Sequence, residues 1–100
     1  MKKTDVYHRT LKVFSDEHQI LQTIEEMSEL TKALLKERRA LNSQDPEAQE
    51  QATMNIADEM ADVIIMLTQL TMIFENRADV QEIINRKLVR QAARLKGHQL

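Results

Sequence analysis

Apolar residues recur along this chain at the three- and four-residue spacing of a helix, because at about 100° per residue positions i, i+3, i+4 and i+7 share one face. Capping residues divide the pattern into four segments. VYHRTLKVF (6–14) predicts a short first helix, followed by Ser15 in an N-cap position with Asp16 and Glu17 in the next turn. A second helix runs to about Leu41, free of Gly and Pro. The stretch NSQDPE (42–47) breaks it, and Asp45-Pro46 reads as N-cap and first residue of a third helix ending near Phe74. ENRAD (75–79) is the next turn, capped by Asn76 or Asp79. The last helix spans about Val80 to Lys96, with Gly97 as its stop. Long helices with short connections predict an all-α antiparallel helical bundle of four to five helices.

Composition supports that reading. One Gly, one Pro and three aromatics among 100 residues are too few for a strand-rich fold, and the length fits one domain, residues 1–100 with a core over about 10–96. Apolar residues at 42% and charged ones at 30% give an ordinary globular balance rather than a disordered one. A net charge of −2 provides no general pull towards nucleic acid or a membrane surface. The absence of cysteine excludes a disulfide framework, a thiolate nucleophile and a zinc finger. MKKTDVYHRT has no apolar leader core, and the longest apolar stretch, VIIMLTQLTMIF, is too short to span a bilayer. The expected location is therefore cytoplasmic.

One feature breaks the pattern. In the third helix Ile56, Val63, Met66, Leu67, Leu70 and Phe74 form the apolar arc, yet Glu59 lies near its centre and Asp62 at its edge. The second helix is similar. Ile20, Ile24, Met27, Leu30 and Leu34 make its arc, Glu26 flanks it, Glu29 lies next to it, and Glu25 is further round. Each helix thus carries an acidic i, i+3 pair, and antiparallel packing would bring the pairs face to face. A lone buried carboxylate neutralises or finds a partner, and four together need a cation. Oxygen ligands of this kind suit Mg²⁺, with Mn²⁺ as a substitute. The plainer reading makes Glu25, Glu26 and Glu29 a solvated face partnered by Lys32 and Lys36, but it does not account for Glu59. A di-iron bundle needs Glu-x-x-His pairs, and the residues three before His8, His18 and His98 are Asp5, Ser15 and Leu95.

The last helix has the opposite charge. Val80, Ile83, Ile84 and Leu88 define its arc, Lys87 falls within it, and Arg90 and Arg94 lie close to the same side. Such side chains either snorkel to solvent or meet the phosphates of a metal-bound substrate. Lys36, near Glu29 on the second helix, is ambiguous between a C-terminal helix charge and a phosphate contact. No Gly-rich loop supports a P-loop or Rossmann reading, no Ser sits in a strained-turn context, and the six Met residues fit packing positions.

These residues resemble the all-α nucleoside triphosphate pyrophosphohydrolases, the MazG-like group that includes the dimeric dUTPases and phosphoribosyl-ATP pyrophosphohydrolase. Its E-E-x-x-E and E-x-x-D motifs are matched by Glu25-Glu26-Met27-Ser28-Glu29 and Glu59-Met60-Ala61-Asp62. IEEMSELTKALLK, DEMADVIIMLTQLTMIF and KLVRQAARL are similar to its short, single-domain phage and Firmicutes branch, and the likeness covers roughly residues 10–96. The segment SQDPEAQEQ between the motifs is at the long end for the group. Val-Ile-Ile after Asp62 replaces the Tyr-His expected of the phosphoribosyl-ATP enzymes.

The resemblance implies Mg²⁺-dependent hydrolysis of an NTP or dNTP between its α and β phosphates. It implies Glu26, Glu29, Glu59 and Asp62 as metal ligands, Glu25 orienting or deprotonating the attacking water, and Lys87 and Arg90 on phosphate. Wide apolar arcs, with Ile64, Ile65 and Met72 turned outward, imply a homodimer or homotetramer that completes the bundle. The rival expectation is a non-catalytic helical module that binds nucleotide or metal. Tyr7, Phe14 and Phe74 are the only aromatics available to stack a base, and Phe74 reads as core.

Overall fold

A computed structural model describes residues 1–98. These form four α-helices and no strand: α1 (Lys3–Val13), α2 (Asp16–Leu41), α3 (Pro46–Ile73) and α4 (Arg77–Leu95). The caps read from sequence act as expected at two junctions. The Ser15 side chain accepts from the His18 backbone N–H at 3.1 Å. Asp45 Oδ1 accepts from the backbone N–H groups of Glu47 and Ala48 at 3.1 and 3.3 Å, with Pro46 in the first turn. Each satisfies donors that a helix start leaves free.

The third junction is built differently. Glu75 adopts φ 51°, and the Asn76 N–H reaches back to the Thr71 carbonyl at 3.1 Å. This is a Schellman-type stop with a glutamate where glycine is usual. Asn76 then occupies the N-cap position of α4 without making a side-chain cap bond, and its Oδ1 is buried without a partner. Gly97 follows the last helical turn, but its backbone is not left-handed and an added Cβ would meet only the Arg94 carbonyl at 3.6 Å. The glycine is not what ends α4.

Helices α2 and α3 make most of the tertiary packing, while α1 and α4 touch α3 lightly. The α2–α3 pair is antiparallel. Gln19 meets Gln69, Glu26 meets Asp62, and Ala33 shares a recess with Asn55, so rising numbers on α2 face falling numbers on α3.

The seam corrects the expected arc of α2. Ile24, Met27 and Leu34 are exposed, and the buried residues are Gln19 and Thr23. Glu26, Leu30, Ala33 and Glu37 are half-buried along the same line. Small and amide side chains let the helices approach there, and the polar atoms pair with one another. Gln19 Nε2 donates to Gln69 Oε1 at 2.6 Å, and the Thr23 hydroxyl donates to the Gln19 carbonyl at 2.8 Å. Because the Gln19 amide oxygen must accept, His18 Nδ1, 2.7 Å away, carries the proton towards it. The His18 ring stacks on Phe14 with centroids 4.9 Å apart.

On α3 Val63 and Met66 are buried as expected and Ile56 and Leu70 are half-buried, but Leu67 and Phe74 are exposed. Ile64 and Ile65 are exposed as expected, whereas Met72 is half-buried. The inward arc expected for α4 is absent: Val80, Ile83, Ile84 and Leu88 are all exposed. The Cα radius of gyration is 17.7 Å, against about 13 Å for a compact chain of this length. Helical periodicity explains where the apolar residues went. Each apolar arc lies about a quarter-turn from the seam, and because the helices are antiparallel both arcs emerge on the same side of the hairpin.

Candidate metal and phosphate site

The acidic residues occupy the middle of the α2–α3 seam and the edge opposite the apolar face. Carboxylate oxygens of Glu26, Glu59 and Asp62 lie within 4.8 Å of one another, all three side chains half-buried. Glu59 and Asp62, one turn apart on α3, face Glu26 across the seam. Glu26 is steadied from its own helix, where Gln22 Nε2 donates to its Oε1 at 3.0 Å.

Burial pushes the Glu59 carboxyl above its ordinary pKa, and the carboxylates of Asp62, Asp58, Glu26 and Glu29 push it further. No Lys or Arg occurs anywhere in α3, so nothing on that helix offsets the crowding. A divalent cation would do so, and three carboxylates without histidine or cysteine are a donor set for a hard cation that keeps part of its water shell.

The other sequence-predicted residues are placed less centrally. Glu29 lies one turn along α2 from Glu26, but its carboxylate is drawn to Lys32 Nζ at 3.3 Å and does not join the trio. Glu25 is exposed on the outer side of α2. Lys36 reaches the site. With Glu29 and Lys32 from α2 and Asn55 and Glu59 from α3 it lines a recess of about 370 Å³, where the small Ala33 and Ala52 leave room between the helices. That volume falls at the lower end of the range for small-molecule sites.

Lys87 and Arg90 do not reach this recess. They border a separate hollow along α4 with Ile83, Asn85 and Val89, and no carboxylate lines it. Their expected meeting with the acidic residues therefore does not occur within one chain.

Two residues escaped the sequence reading. Gln22 and Asn55 lie four residues before Glu26 and Glu59, hence one turn away on the same helix faces. That spacing was the available signal. In comparisons with known proteins, no family model matches the chain, and no curated protein or solved structure gives a significant match. Among the described residues no helix is long and apolar enough to cross a membrane.

Proposed function

We propose that this protein is a divalent-metal-dependent nucleotide pyrophosphohydrolase of MazG-like fold, converting an NTP or dNTP and water to a nucleoside monophosphate and pyrophosphate. The observation that carries this reading is the meeting of Glu26, Glu59 and Asp62 from two helices beside a recess that also holds lysines. The three carboxylates would hold Mg²⁺ or Mn²⁺, joined by Glu29 when its pairing with Lys32 is released. When bound, the cation lowers the pKa of water and screens the polyphosphate.

The chain's own groups supply the rest. Glu25, exposed on the outer side of α2, would have to turn towards the seam to orient or deprotonate the attacking water with its carboxylate. The water oxygen bonds to the α phosphorus as the bond from that phosphorus to the bridging oxygen breaks, and pyrophosphate departs. Cations near the departing phosphates stabilise the charge that develops there.

The assembly belongs to the same proposal. The chain exposes 8369 Å², about 2,500 Å² more than the ~5,900 Å² usual for a folded monomer of this mass. Permanent homodimers bury about 2,000–5,000 Å² in total, or about 1,000–2,500 Å² per chain, so covering the shared apolar face of α2 and α3 with a second copy removes much of the surplus and, at the upper end of that range, all of it. In a dimer or tetramer of this kind Lys87 and Arg90 are free to serve a neighbouring chain's acidic residues, which they do not meet in their own.

Pyrophosphate release from a panel of NTPs and dNTPs tests the reading. We expect release with Mg²⁺, none with EDTA, and a loss of about 100-fold or more in Glu59→Gln. Silence across the panel, with Mg²⁺ still raising Tm, would favour a non-catalytic binding module.

A further inference from the structure

We propose that the recess beside the acidic trio seats the terminal two phosphates of the substrate, with Lys36 and Asn55 as anion ligands and Lys32 as an exchangeable third. This assignment rests on the pyrophosphohydrolase reading and adds a direction to it. The phosphate tail runs from the trio towards the α2–α3 connection, and the nucleoside lies on the opposite side, towards Gln22.

A departing pyrophosphate needs cations. α3 has no Lys or Arg, and within one chain α4 contributes no residue to the recess, so Lys87 and Arg90 could act there only from a neighbouring copy. The cations that α2 holds are Lys32, Lys36, Arg38 and Arg39, and of these Lys32 and Lys36 line the recess. In the other direction along the seam the helices close over the Gln19–Gln69 hydrogen bond, both side chains buried, and the nearby His18 Nδ1 is engaged with the Gln19 amide oxygen at 2.7 Å. From Glu29 to Lys36 is seven residues of helix, about 10 Å along the axis, so the wall changes from acidic to basic over the length of the recess.

The side chains are prepared for an anion. Lys36 makes no ion pair among the described residues, whereas Lys32 is bound to Glu29 at 3.3 Å. Asn55 is half-buried, and its Oδ1 accepts from Gln51 Nε2 at 2.9 Å. That bond fixes the amide and leaves both Nδ2 hydrogens without a protein acceptor among the described residues. Phosphate in the recess gives Lys32 a second partner, and Glu29 is then free to turn towards the trio. Anion binding and the fourth carboxylate ligand are thereby linked.

The test uses inorganic pyrophosphate and the full chain. Calorimetric titration with pyrophosphate in Mg²⁺ is compared for the parent, Lys36→Met, Asn55→Ala and Arg38→Met, and Mn²⁺ binding by paramagnetic resonance is followed in parallel. We expect Lys36→Met to weaken pyrophosphate about tenfold or more and Asn55→Ala about fivefold, with Mn²⁺ binding retained in both. Arg38→Met, on the same helix outside the recess, should leave both affinities unchanged. Equal weakening by Arg38→Met, or no weakening by Lys36→Met, would overturn the assignment. Mn²⁺ bound without pyrophosphate would remove the recess while leaving the metal site, whereas a parent chain that binds no Mn²⁺ would remove both.

Discussion

The seam and the outer face of the α2–α3 hairpin have exchanged the roles that a folded chain usually gives them. At the seam, Gln19, Thr23 and Gln69 are buried and hydrogen-bonded, with Ala52, Val63 and Met66 as the buried apolar residues. Outside, Ile24, Met27, Leu34, Ile64 and Leu67 stand in solvent. The difference separates two jobs. Paired polar groups fix register, because sliding one helix past the other would strand them without partners. Apolar groups supply most of the free energy of burial, and on the outer face that supply is not realised within one chain. The acidic trio sits where the first job is done, which holds three like charges close together.

This contrast can be broken most directly on the outer face. Replacing both Ile24 and Leu67 by Asp should convert the proposed assembly to single chains in sedimentation or light scattering, with a large fall in Tm. If the face were merely solvated, such surface changes would each shift stability by no more than about 0.5 kcal/mol and leave the mass unchanged.

A smaller effect belongs to the seam. Gln69→Ala should cost about 1–3 kcal/mol in denaturant unfolding, since Gln19 is left buried without its partner. Replacing both glutamines by Leu should recover most of that loss. Additive losses in the double variant would show that the pair is not a coupled unit.

The smallest effect is the pH dependence of Glu59. Burial and neighbouring carboxylates raise its pKa in the fold, so its contribution to stability is present below the unfolded-state value and lost as pH rises through the raised one. Glu59→Gln removes that loss. In EDTA the variant's Tm advantage over the parent should be small near about pH 4 and larger by about pH 7, and Mg²⁺ should abolish or reverse it. A constant difference across that range would mean that Glu59 is not crowded.

Much of this was legible in the residue order because it is local. Ser15 and Asp45-Pro46 mark helix starts through their own side chains, and a 3.6-residue period is enough to place Glu26, Glu59 and Asp62 on inward-facing sides. Periodicity locates an apolar arc but does not say what covers it. For that reason Ile24, Met27 and Leu34 read as intrachain core, and Lys87 and Arg90 read as meeting acidic residues that their own α4 does not approach. The diversion of Glu29 to Lys32 depends on side-chain reach, which spacing alone leaves open between two partners. The left-handed turn at Glu75 had no glycine to announce it.

The central claim is that Glu26, Glu59 and Asp62 form a divalent-cation site, and Mn²⁺ titration followed by paramagnetic resonance tests it without requiring turnover. The parent chain should deplete the free-Mn²⁺ signal, Mg²⁺ should restore it by competition, and Glu59→Gln and Asp62→Asn should bind at least about tenfold more weakly. A parent that leaves the free signal intact, or a Glu59→Gln chain that binds as the parent does, would contradict it.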